Sequence, residues 1–191
     1  MNELKTLLQA LTSISDKEFE DSRNNFHKIY LRKGDFLLQK GQVCKQMSFV
    51  NLGSLRTFYF NNKGEEITHC FRTKNTFISS FRSFILQEPS LLSIMALEET
   101  ELIVIDYDKL QKLYSTSITW QNIGRLLTER AYIEMEEYAS VLNNESAKEK
   151  YLRLINEHGE ILQKASVEHV ATYLGVTRRT LSRIRKEISI Q

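Results

Sequence analysis

The chain has 191 residues, 41% apolar and 26% charged, the balance of an ordinary soluble globular protein with room for one large domain or two modest ones. A net charge of +2 excludes a molecule that coats nucleic acid by bulk charge, but the charge is uneven. Residues 177–191 carry Arg178, Arg179, Arg183, Arg185 and Lys186 against Glu187, which leaves +4 there and −2 on the rest.

In chain order, Leu4, Leu7, Leu8 and Leu11 recur at helical spacing, and Ser15 with Glu18 forms a capping box for a second short helix. The N-terminus is charged and amphipathic rather than a secretory leader. No stretch approaches the roughly 20 apolar residues of a membrane span. The chain is therefore expected in the cytoplasm, without membrane contact, with Cys44 and Cys70 as reduced thiols. No metal or cofactor is expected. There is no C-x-x-C or H-E-x-x-H, and His27, His69, His158 and His169 are scattered.

From His27 to about Ile105 the chain breaks into short β-type runs, K-I-Y-L-R, F-L-L-Q, M-S-F-V, L-R-T-F-Y-F, E-I-T-H-C-F and E-L-I-V-I, punctuated by Gly34, Gly41, Gly53 and Gly64. N-N-K-G at 61–64 reads as a hairpin turn. With no room for crossover helices, these runs predict an antiparallel sandwich or barrel. Residues 108–114 predict a short helix. A long helix over 116–142 follows, about 40 Å at 1.5 Å per residue. Trp120, Ile123, Leu127, Ala131, Tyr138 and Leu142 lie near one stripe of it. That stripe is expected to pair with its copy in a homodimer; packing on the chain's own domains is the alternative. Asn143–Glu145 reads as a hinge, and Ser146 with Glu149 caps a further helix that Gly159 ends.

The last segment, V-A-T-Y-L-G-V-T-R-R-T-L-S-R-I at 170–184, has the grammar of a helix-turn-helix. Ser166 caps a two-turn helix with Val167, Val170, Ala171 and Leu174 inside. Gly175 ends it, Thr177 caps a second helix, and Leu181, Ile184 and Ile188 form that helix's apolar face. Arg178, Arg179, Ser182, Arg183 and Lys186 are left on its outer side. Arg can bond guanine O6 and N7, and Thr177, Thr180 and Ser182 can bond phosphates. The competing reading is a solvated basic face.

With these residues the chain resembles the Crp/Fnr family of bacterial transcription regulators. K-G-D at 33–35, K-G at 40–41, F-V-N-L-G-S-L-R at 49–56, G-E-E-I at 64–67 and T-R-R-T-L-S-R-I at 177–184 carry the resemblance. It implies an α+β fold: an N-terminal antiparallel β-roll, jelly-roll-like and similar to a cyclic-nucleotide-binding domain, over 1–114; a long dimerisation helix over 115–143; and an all-α helix-turn-helix over 144–191 with little or no wing. It also implies that residues at Arg178, Arg179 and Arg183 contact base edges or nearby phosphates. The family's phosphate cassette, similar to F-G-E-L-A-L-L…R-S-A, falls on F-I-S-S-F-R-S-F-I-L-Q-E-P-S-L-L-S-I at 77–94. Its Glu position meets Ser79 and its Arg-Ser pair meets Ser90-Leu91, so cyclic nucleotides lose the bidentate phosphate contact. Ser79, Ser80, Arg82 and Ser83 remain candidates for lining a pocket with another effector or none; a solvated Arg82 is the competing reading.

The expected function is a homodimeric regulator reading double-stranded DNA at a pseudo-palindromic operator, with RNA polymerase as a further candidate partner. The alternative is a ligand-binding or protein-interaction module whose helix-turn-helix does not read DNA. An enzyme is not expected, since Glu98, Glu99, Asp106 and Asp108 have no paired His, Cys or glycine loop.

Overall fold

The computed structural model describes residues 1–189, and of residues 141–143 and 189 the backbone alone. Two helices open the chain, α1 (Asn2–Leu11) and α2 (Asp16–Ser22). The capping box at Ser15 and Glu18 forms, and Glu18 also accepts from the Thr119 hydroxyl at 2.7 Å. Eight strands follow: β1 (Phe26–Leu31), β2 (Phe36–Leu38), β3 (Gln46–Leu52), β4 (Leu55–Phe60), β5 (Glu66–Arg72), β6 (Phe77–Ile78), β7 (Ser93–Ala96) and β8 (Thr100–Asp106). They make two antiparallel four-stranded sheets, ordered β1-β8-β3-β6 and β2-β7-β4-β5. The expected roll is present. The runs at 77–78 and 93–96 are too short for an alternating pattern to reveal, and so is the helix between them, α3 (Phe81–Leu86).

Val50, Leu102 and Val104 of the first sheet share a core with Leu55 and Ile94 of the second, and Phe49 and Ile103, on the first sheet's other face, join the same cluster with Leu4 and Leu8 of α1. Gly53 makes the β3–β4 turn with φ +90°, and a Cβ there would meet the Glu99 carbonyl at 2.6 Å, so the turn tolerates no side chain.

After α4 (Tyr107–Thr116), Ser117 breaks the helical path and α5 (Ile118–Asn144) begins, 27 residues long. Its apolar stripe turns towards its own chain. Trp120 and Ile123 are buried in the roll's core, with Trp120 5.8 Å from the Phe26 ring. Leu127 packs against the same core, Ala131 is half-buried, and Tyr138 meets the His69 ring edge-on at 5.0 Å. Leu142 lies outside the described side chains. Trp120 and Ile123 are thus closed to a partner copy, which differs from the expectation for a dimer stripe. The physical reason is that α1, α4 and the Phe26 ring of β1 cover the first turns of α5, and further along Arg72 of β5 pairs with Glu134 at 2.7 Å.

The chain leaves α5 through Glu145 and Ser146 into the head: α6 (Ala147–His158), α7 (Ile161–Lys164), α8 (Val167–Tyr173) and α9 (Arg178–Ser189). The Ser146–Glu149 capping box forms as its spacing predicts. The head's core of Tyr151, Leu154, Ile161, Val170, Ala171, Leu174, Leu181 and Ile184 is completed by two residues of the roll, Phe71 and Leu97. Phe71 stacks at 5.2 Å on Tyr173, the Thr68 N–H donates to the Thr172 hydroxyl at 3.3 Å, and Lys164 pairs with Glu98 at 2.8 Å.

Phe71→Ala should therefore remove packing from the head rather than from the roll. The expected cost is roughly 3–5 kcal/mol. Scanning calorimetry checks it: one cooperative transition in the parent should split in two, with the head melting first.

Candidate nucleic-acid interface and sensor site

The head's second helix pair carries the basic residues. Ser166 caps α8 by accepting from the His169 N–H at 3.1 Å. Gly175 turns the chain at φ +69°, a left-handed conformation that relieves the end of α8. Thr177 then accepts from the Thr180 N–H at 3.2 Å and starts α9. Leu181 and Ile184 are buried, and Ile188 packs on the same core. Arg178, Arg179, Ser182, Arg183 and Lys186 lie exposed together on the opposite face. Thr177 is exposed at the cap, and Thr180 is half-buried with its hydroxyl 3.1 Å from that of Thr177. Arg185 stands apart, half-buried with its guanidinium 5.7 Å from the Tyr151 ring centroid.

This face is electrostatically open to an anion. The first turn of α9 holds no acidic residue, yet Arg178 and Arg179 place two cations where the helix macrodipole is already positive. Glu168 of α8 ion-pairs with the Arg178 Nε edge, while Arg183 is 3.9 Å from Glu187. Exposed pairs of this kind are worth about 0–1 kcal/mol, so phosphates can displace them.

The roll's cassette is closed on itself. Ser80 and Ser90 are buried, and their hydroxyls bond each other at 2.8 Å. The Ser83 hydroxyl accepts from the Cys44 N–H at 2.9 Å and donates to the Glu88 carbonyl. Arg82 points away, exposed, and pairs with Glu88 at 2.7 Å. Of the four pocket candidates, Ser79 borders a cavity of the roll, Ser80 and Ser83 are spent on structure, and Arg82 does not reach inward. No group of three or more His, Cys, Asp or Glu among the described residues could hold a metal, and no helix there is long and apolar enough to cross a membrane.

One buried charge is not apparent from the sequence pattern. On the outer face of the second sheet, Arg56 is 1% exposed. It pairs with Glu66, bonds Thr68 at 3.3 Å and lies over the Phe58 ring at 4.0 Å. Beside it, the Nδ1 of His169 is buried without a hydrogen-bond partner. Burial first, then the Arg56 charge, push the His169 imidazole down to about 4; Lys33 acts in the same direction, Glu66 and Glu168 against it. Only the interleaved cation in a β run hints at this arrangement in the sequence, because the covering helix lies over a hundred residues away.

Against known proteins, residues 28–117 match the family model described as Cyclic nucleotide-binding domain. No curated protein matches the sequence. Among solved structures, FixK2 from Bradyrhizobium japonicum is 16% identical with a TM-score of 0.74, over 87% of this chain and 85% of that one. The c-di-GMP responsive global regulator CLP from Xanthomonas campestris is 18% identical with a TM-score of 0.69, over 92% of each. The Thermus thermophilus catabolite activator protein is 18% identical with a TM-score of 0.59, over 92% of this chain and 84% of that one. The fold thus defines the chain's class: a roll of the cyclic-nucleotide-binding type, a long helix and a helical head, the arrangement of those regulators.

The docked head should loosen in acid. His169 titrates near 6.5 in water but about 4 when docked, so the undocked state binds more protons between those values. The contribution to docking is complete above pH 6.5 and lost as pH falls towards 4. Hydrogen exchange of the α8 amides at pH 7 and pH 5, corrected for intrinsic rates, should show the loss, and His169→Gln should flatten it.

Proposed function

We propose that the chain is a DNA-binding transcription regulator of the Crp/Fnr type that reads a pseudo-palindromic operator as a homodimer and does not take cyclic nucleotides as its signal. The observation that carries this reading is the α9 face: Arg178, Arg179, Ser182, Arg183 and Lys186 exposed together, with the opposite face locked in the head. A recognition helix enters the major groove with its N-terminal residues foremost, where Arg178 and Arg179 stand. Thr177, Thr180 and Ser182 would bond phosphates. The closed cassette supports the second half of the reading, since its buried hydroxyls already satisfy one another and it offers no inward arginine.

The dimer seam is a second stripe of α5, not the one that packs on the roll. Thr128, Tyr132, Met135 and Ala139 are all exposed and follow each other at spacings of four, three and four. That is the repeat of a coiled-coil seam. Leu142, next in the series, lies outside the described side chains. Paired across this seam, two heads would present their α9 helices to successive major grooves, about 34 Å apart.

Two measurements test the proposal. Selection from a random DNA pool should yield a two-fold related site. On it, Arg178→Ala and Arg183→Ala should each cost roughly 1–3 kcal/mol per subunit and relax base preference. If both variants bind selected and random DNA as the parent does, the DNA-reading assignment fails. For the seam, Met135→Glu should turn a dimer into a monomer in sedimentation; a parent that is already monomeric at tens of micromolar would refute the dimer.

A further inference from the structure

The roll also holds a cavity, which the cassette segment borders through Ile78, Ser79 and Ile94. It has a volume of about 320 Å³ and opens beneath the 42–46 turn, with walls from both sheets. Leu38 and Ile94 come from the second sheet, Ile78 and Ser48 from the first. None of Ser80, Arg82, Ser83 or Ser90 lines it. Its volume lies at the lower end of the range for small-molecule sites, roughly 300–1,000 Å³.

The polar groups of this lining divide into used and unused. The Cys44 thiol and the Ser79 hydroxyl are 3.3 Å apart, and both reach the Gln46 carbonyl. They are spent. The Ser48 hydroxyl is different: the residue is 1% exposed, and its Oγ has no hydrogen-bond partner. A buried hydroxyl left unpaired costs roughly 1–3 kcal/mol, so an occupant supplying an oxygen there is favoured. Lys45 borders the same cavity and is exposed, in none of the chain's ion pairs among the described residues. No carboxylate side chain lines the cavity.

These features specify an occupant: a branched aliphatic wall for its body, a cation at the mouth for a negative head, and one internal hydroxyl for a further oxygen. We infer that the cavity is the roll's ligand site and that it takes an aliphatic monocarboxylate carrying a hydroxyl or oxo group on its chain. The carboxylate meets Lys45, the alkyl body lies among Leu38, Ile78 and Ile94, and the chain oxygen pairs with Ser48. The inference rests on reading the roll as the sensor of a regulator and gives that sensor a chemical class of signal.

Calorimetry on the full chain tests it with 3-hydroxyoctanoate as the probe, and with octanoate, octylamine and cAMP as comparators. The hydroxy acid should bind with a dissociation constant in the micromolar range, roughly tenfold tighter than octanoate, as one added hydrogen bond allows. Ser48→Ala should erase that tenfold difference while leaving octanoate unchanged. Lys45→Gln, on the surface and so harmless to folding, should weaken both acids about tenfold. Octylamine and cAMP should give no binding. If the two acids bind the parent equally, Ser48 is answered by water and the inference fails. It fails also if octylamine binds as well as octanoate, or if no acid binds at millimolar concentration. A gel shift on the selected DNA, run alongside without ligand, separates this failure from failure of the DNA-reading proposal.

Discussion

The guanidinium of Arg56 is held out of water between the second sheet and the helix that covers it, and much of the molecule's arrangement follows from what that requires. A buried cation costs several kcal/mol unless it is paired and bonded. Here Glu66 supplies the charge, Thr68 a hydroxyl and Phe58 a ring face. All three partners lie on the hairpin of β4 and β5, while the Arg56 Nε is buried without a hydrogen-bond partner. What the head adds is cover. Thr172 bonds Thr68, Tyr173 stacks on Phe71, and His169 sits beside the guanidinium as a neutral ring. A head displaced along the sheet would leave the ion pair wet and its own core open. The docking pose is thus specified by polar geometry as well as by apolar area.

The same hairpin orders the long helix. Tyr138 rests on His69 and Glu134 on Arg72, both from β5, while Trp120 and Ile123 anchor the first turns in the roll. Sheet, long helix and head therefore meet along one strand. A change inside the roll has two routes to the α9 face: along α5 and its break at Glu145 and Ser146, or straight from β5 into α8. The direct route is short, because Thr68 of the sheet and Thr172 of the head are bonded neighbours.

Local chemistry was legible in the sequence because its causes are local. Ser15, Ser146, Ser166 and Thr177 all cap helices where their spacing places them, and Gly175 takes the left-handed conformation that a helix end needs. The exposed face of α9 was legible for the same reason, since helical periodicity alone sorts Arg178, Arg179 and Arg183 from Leu181 and Ile184. Periodicity also located the stripe from Trp120 to Tyr138, but it cannot name what covers a stripe. Here α1, α4 and Phe26 cover its first turns, and His69 of β5 meets Tyr138. Strands of two and four residues, β6 and β7, leave too little pattern to read. That serines stand at 79, 80, 83 and 90 of the cassette is legible in the sequence; that they bond one another and their neighbours is a matter of tertiary distance. Arg56 was the hardest case, because a cation in a β run ordinarily faces solvent.

The head borrows Phe71 and Leu97 from the roll to complete its core. A segment that is unfinished without its neighbour is not a free-standing module, whatever its sequence grammar suggests. Recombination that joined such a head to an unrelated sensor would have to bring β5 with it, or remake that wall by several simultaneous substitutions. A substitution on the sheet's outer face therefore meets α8 directly, whereas the exposed side of α9 lies across the head's core from that wall.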